Sequence, residues 1–74
     1  MNNQFAAIAR LKRDNRLFVG ASDVAPVLGC DAQDIRDAVA EDPTALGFKT
    51  IRIKSRVRIP RVEFLRFIGV DVND

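Results

Sequence analysis

Histidine, tryptophan and tyrosine are absent from these 74 residues, and cysteine and methionine occur once each. With no imidazole and a lone thiol, Cys30, neither the usual nucleophile–base pairs nor nitrogen- or sulfur-ligated metal sites can be assembled. The carboxylates are strung along one expected helix rather than paired across a cleft, so no enzyme is expected. The single cysteine excludes an internal disulfide and points to a reducing compartment. No run approaches the roughly 20 apolar residues of a membrane helix, and no signal-peptide pattern opens the chain. The expectation is a cytoplasmic protein with no membrane partner, small-molecule substrate or cofactor.

What is present is the composition of an ordinary globule, 47% hydrophobic and 30% charged, enough for one modest core in a single domain over residues 1–74. The net charge is only +2, but it is unevenly spread. Residues 1–19 carry four cations against one anion, residues 20–47 one against six, and residues 48–74 seven against three. Segregation of this kind bears on partners rather than on fold. A polyanion would meet the two ends of the chain more readily than its middle.

The stretch FKTIRIKSRVRIP, residues 48–60, and the arginine after it hold Lys49, Arg52, Lys54, Arg56, Arg58 and Arg61 and no acid. Ile51, Ile53, Val57 and Ile59 alternate with polar residues, the period of a half-buried strand. A polar break between the two runs predicts a hairpin. If all four aliphatics share one face, Ile53 opposes Val57 and the loop is Lys54-Ser55-Arg56. A two-residue loop would instead turn an arginine toward the core, at a burial cost. The loop has no glycine, so Lys54 or Ser55 is expected at positive φ.

Residues 3–15 predict a helix with Phe5, Ile8 and Leu11 near one face and Asn2 or Asn3 as cap. Arg10, Lys12, Arg13 and Arg16 load its last turn and exit, either as a solvated helix end or as a basic arm along a phosphate backbone. Leu17-Phe18-Val19 suits only an edge strand, able to extend the hairpin to three strands. Ser22 is expected to cap a short helix through Leu28 that buries Val24, Val27 and Leu28, with Pro26 early enough in it to cost little. Gly29-Cys30 breaks it, Cys30 serving as a small apolar plug. Asp31 caps a second helix running to about Glu41, with Ile35, Ala38 and Val39 inward. Asp42-Pro43 ends that helix. Pro60 opens a last helix with Val62, Leu65 and Ile68 in one stripe and Phe64 beside it, closed by Gly69. The phenylalanines from Phe48 to Phe67 are read as core. The organisation is therefore an N-terminal helix or arm (1–16), a helix pair (22–41), a basic hairpin (48–59), a C-terminal helix (60–69) and a polar tail (70–74). Two short helices around a glycine turn followed by a basic hairpin make an α+β domain of winged helix-turn-helix pattern.

The pieces ASDVAPVLGCDAQDIR and RVRIPRVEFLRFIG, in that order, resemble the excisionase-type, MerR-like winged helix proteins of phages and integrative mobile elements, over about two-thirds of the chain. The resemblance implies double-stranded DNA as the partner. It implies a recombination directionality factor or small transcriptional regulator, dimerisation or cooperative filaments on DNA, and an integrase or recombinase nearby in the nucleoid. It places the second helix in the major groove with Ala32, Gln33 and Arg36 exposed, Gln33 suited to adenine and Arg36 to guanine. Lys49, Arg52, Lys54, Ser55, Arg56, Arg58 and Arg61 would then reach phosphates or the adjacent minor groove. Asp31, Asp34 and Asp37 depart from that pattern, because carboxylates at groove depth repel phosphate. The wing and N-terminal arm are therefore expected to dominate affinity. The alternative is a protein-interaction module whose acidic second helix docks a basic partner such as an integrase, polymerase subunit or terminase.

Overall fold

The computed structural model describes residues 3–71. The chain runs α1 (Gln4–Arg13), β1 (Phe18–Gly20), α2 (Ala21–Leu28), α3 (Ala32–Glu41), β2 (Ile51–Ile53), β3 (Arg56–Pro60) and α4 (Arg61–Phe67). It is a small α+β domain of four helices and a three-stranded antiparallel sheet ordered β1-β3-β2, an arrangement compatible with a winged helix.

In α1 the buried positions are Ala7 and Leu11, one turn apart, with Ile8 packed alongside. Phe5 lies two residues, about 200° of helical turn, from Ala7, and is 87% exposed rather than inward. Asn3 occupies the N-cap position without a side-chain cap bond; Asn2 lies outside the described residues, as do the last three of the tail.

The cap of α2 is Gly20, two residues earlier than the Ser22 expected, and Asp23 supplies the polar partner by accepting from the Gly20 N–H at 2.9 Å. Starting the helix at Ala21 buries Ala21, Val24, Ala25 and Val27, and leaves Leu28 at the rim, 36% exposed. Pro26 is thus the sixth residue of an eight-residue helix. It deprives only the Ser22 carbonyl of its helical donor, at an exposed position. Cys30 is exposed, not a plug. Its thiol is pushed up by partial desolvation and then by the carboxylates of Asp34 and Asp31.

Asp31 is the N-cap of α3, with Asp34 Oδ2 accepting from its N–H at 3.2 Å. Ile35 and Val39 are buried and Ala38 half-buried. The helix stops at Asp42, whose backbone turns extended ahead of Pro43 and whose carboxylate accepts from Thr44 N–H and Oγ1–H at 2.9 and 2.8 Å. Those two bonds lower the Asp42 pKa.

The connector from Thr44 returns the chain to the core through Phe48, which meets Phe64 edge-on at 5.0 Å between centroids and Phe67 at 5.2 Å. Phe48 and Phe64 are buried, whereas Phe67 lies over Phe48 and keeps 51% of its surface exposed. Gly47 permits this approach. Its φ is +84°, and a Cβ there would stand 3.3 Å from the Phe67 ring. Pro60 ends β3 and caps α4 rather than entering it. At the other end Val70 N–H donates to Leu65 O (2.9 Å) and Gly69 N–H to Arg66 O (3.0 Å), a Schellman closure that needs the positive φ of Gly69. Val70 packs on the core, so the polar tail begins only after it.

The hairpin register differs from the expected one. Ile51 pairs with Arg58, Arg52 with Val57 and Ile53 with Arg56, leaving a two-residue loop, Lys54-Ser55. Lys54 takes φ +57°, at the first loop position, where a type II′ turn favours glycine. Opposed residues share a face. Val57, Ile59 and Val19 therefore face the helices, while Ile51, Ile53, Arg56, Arg58 and Phe18 face outward. The arginine on the helix side is Arg52, and it costs little because β2 is an outer strand overhanging the core. Arg52 stays exposed.

Candidate nucleic-acid interface

The register decides which cations meet. Arg52, on the helix side of β2, lines a depression with Gln33, Arg36, Asp37, Ala40 and Ser55, between α3 and the wing. On the other side of the wing tip a groove of about 360 Å³ runs between the start of α2, the middle of α3 and the edge of β3. Its walls are Gly20, Ala21, Ser22, Arg36, Ser55, Arg56, Val57 and Arg58. That edge is open because β1 stops at Gly20, opposite Arg58, and the chain turns into α2. Arg36 and Ser55 belong to both depressions, so the exposed side of α3 and the wing tip form one continuous surface. Arg36 and Arg52 line it on the helix side of the wing, Arg56 and Arg58 border it at the edge of β3 with their side chains on the outer face, and the carboxylate among its lining residues is Asp37.

That carboxylate is already engaged. Gln33 Nε2 donates to Asp37 Oδ1 at 2.9 Å, and Arg36 Nη1 donates to Gln33 Oε1 at 3.3 Å. Asp37 therefore orients Arg36 through the amide of Gln33. Base reading by Gln33 requires exchanging these exposed bonds for bonds to a base edge. Asp31 and Asp34 sit at the helix cap, where the positive end of the helix accommodates them. Ala32 is half-buried and packs on the core.

The other expected site residues lie elsewhere. Lys54 is exposed at the wing tip beside Ser55. Lys49 lies in the connector, lining a separate depression with Pro43, Thr44, Gly47, Phe48 and Thr50. Arg61 is a brace of the fold. Its Nε donates to Arg16 O at 2.9 Å, its Nη1 to Leu11 O at 3.0 Å, and its backbone N–H to Leu17 O at 3.0 Å. One side chain thus ties the end of α1 and the entry of β1 to the start of α4, which accounts for a half-buried arginine where an exposed cation was expected.

Arg16 is likewise occupied. Its Nε donates to both carboxylate oxygens of Asp14 at 3.0 Å, and its Nη2 lies 3.5 Å from Asp23. These bonds hold the Asp14 carboxyl at about 2, below the ordinary 3.8, and raise the Arg16 guanidinium further. Arg10, Lys12 and Arg13 are exposed in the last turn of α1. Arg61 pins that turn to the Pro60 end of β3, four residues and roughly 13 Å of strand from the Arg56 end. The N-terminal cations and the wing are therefore at opposite ends of the sheet.

Sequence reasoning did not single out Ser22 as a wall of the groove; the signal was Asp23, whose place three residues after Gly20 starts the helix early and turns the Ser22 hydroxyl position outward. Among the described residues no cluster of acidic or thiol groups is suited to a metal ion, and no helix is long and apolar enough to cross a membrane. No family model, curated protein or solved structure matches this chain.

Proposed function

We propose that this chain is a winged helix-turn-helix domain that binds double-stranded DNA, with α3 entering the major groove and the β2–β3 wing on the flanking backbone. The observation that carries the reading is the pairing of Arg36 and Arg52 across the depression between α3 and the wing, where the lining carboxylate, Asp37, is hydrogen-bonded internally, with Arg56 and Arg58 bordering the adjoining groove at the open edge of β3. Cations from three elements around the wing suit phosphates, and the exposed amide of Gln33 with the half-buried Arg36 beside it suits base edges. Capping by Asp31 and Asp34 removes two of the acids that would otherwise favour a basic protein partner on α3. The role we infer is that of a small regulator or an excisionase-like architectural protein of a mobile element, working at the nucleoid beside a recombinase.

The test is fluorescence anisotropy with a labelled duplex at a series of salt concentrations. With ~4–6 phosphate contacts, log affinity falls with log salt at a slope of roughly −4 to −5. Replacing Arg56 and Arg58 by alanine lowers affinity for every duplex and reduces the slope by about 2. Replacing Gln33 or Arg36 changes preference among sequences by about 1–3 kcal/mol. Absence of binding at low salt to any duplex would retire the reading.

A further inference from the structure

The outer face of the sheet carries Phe18, Ile51, Ile53, Arg56 and Arg58, turned away from the helices by the pairing. Phe18 and Ile53 keep 36% and 58% of their surface exposed. With Ile51 and Arg58 they enclose a depression of about 280 Å³, room for one large apolar side chain. Scattered exposed aliphatics are common on protein surfaces, but these three converge on one pit. Among the described residues of the three strands, the charged groups on that face are the two arginines of β3. Three strands make a face roughly 10 Å across, the width of a single helix.

The chemistry of the rim selects among occupants. A second copy placed face to face would bring four arginines together in a desolvated contact, which like-charge repulsion opposes. A concave pit receives a projecting side chain better than it inserts into a lipid surface. We infer that this face docks an acidic amphipathic helix of another protein, with a leucine or aromatic side chain in the pit and carboxylates on Arg56 and Arg58. An anchor in a pocket with charged pairs at its rim is the usual distribution of binding energy at such contacts. The apolar part of the site, Ile51, Ile53 and Phe18, is separate from the α3 surface, while its rim arginines, Arg56 and Arg58, are shared with the DNA reading. This sharing links the two sites: Arg58 borders both the pit and the groove, so the acidic helix competes with DNA for a shared cation.

The test uses a fluorescein-labelled helical peptide with a leucine stripe flanked by glutamates, and its counterpart flanked by lysines. The glutamate peptide is expected to bind with micromolar affinity and to shift the backbone amide signals of Phe18, Ile51 and Ile53. Ile53→Asp and, separately, Arg58→Glu should each weaken it about tenfold, with circular dichroism showing both variants folded. The uncharged Ile53→Asn, which removes the apolar group without adding a carboxylate to the wing, should weaken peptide binding and leave duplex affinity unchanged. Equal binding of both peptides, or no binding up to about 1 mM, would overturn the inference. So would a dimer in sedimentation, or adhesion to anionic vesicles, that disappears with Ile53→Asp. Loss of duplex binding with retention of the peptide would overturn the DNA reading alone.

Discussion

At the scale of single residues, two arginines that look like phosphate ligands in the sequence serve the fold. Arg61 donates through two different guanidinium nitrogens to two carbonyls that end different segments. Hydrogen bonds from a charged group contribute about 1.5–3 kcal/mol. Arg61→Ala is therefore expected to destabilise the domain by about 2 kcal/mol in urea denaturation, and Arg61→Lys to recover little, lacking the planar fork. Duplex affinity of the folded fraction should not change. Arg16 and Asp14 make the acid-sensitive contact. The Asp14 pKa is depressed to about 2, so the stability it contributes is present above the ordinary value of 3.8 and is lost as pH falls toward about 2. Asp14→Asn should flatten the stability profile across that window; an unchanged slope would show that the pair contributes nothing. Neither role was legible in sequence, because both depend on which carbonyl or carboxylate tertiary packing brings within 3 Å.

At the scale of elements, helix content was largely legible and strand register was not. Ile35 and Val39 bury as their spacing implies, whereas in the last helix Leu65 and its neighbour Phe64 are buried and the other stripe residues, Val62 and Ile68, are half-buried. Boundaries moved by one or two residues: α1 ends at Arg13 rather than at residue 15, α2 starts at Ala21 because Gly20 and Asp23 form its cap, and α4 ends at Phe67. In the hairpin, alternation alone suggested that four aliphatics share a face, which holds only if both strands are covered by helices. β2 is not, so Ile51 and Ile53 were free to face outward and Arg52 inward. The turn then became the shorter one, with Lys54 at φ +57°. Lys54→Gly is expected to stabilise the domain by roughly 0.5–1 kcal/mol, since a side chain is disfavoured there. It should also lower the salt slope of DNA binding by at most one unit. A loss of stability would mean that the Lys54 side chain contributes packing outweighing its backbone strain.

At the scale of the whole molecule, the charge segregation of the chain becomes a division of space. The wing and α3 gather four arginines at one end of the sheet, while Arg10, Lys12 and Arg13 lie at the other. The sequence expectation that both contribute to one phosphate-binding surface therefore separates into two regions. Replacing Arg10, Lys12 and Arg13 together by alanine should change the salt slope by less than one unit, against about 2 for Arg56 and Arg58. A slope that falls by two or three would mean that the duplex bends to reach both ends.

The sequence by itself determined which elements form, their order, and the absence of imidazole and paired thiols, because composition, periodicity and caps act over a few residues. Only the tertiary structure decided that Phe5 and Cys30 face solvent, that Arg61 braces α1, and that Ile51 and Ile53 leave the core. Those outcomes depend on which side of each element a distant segment covers. Burial drives a residue inward only where there is something to be buried against.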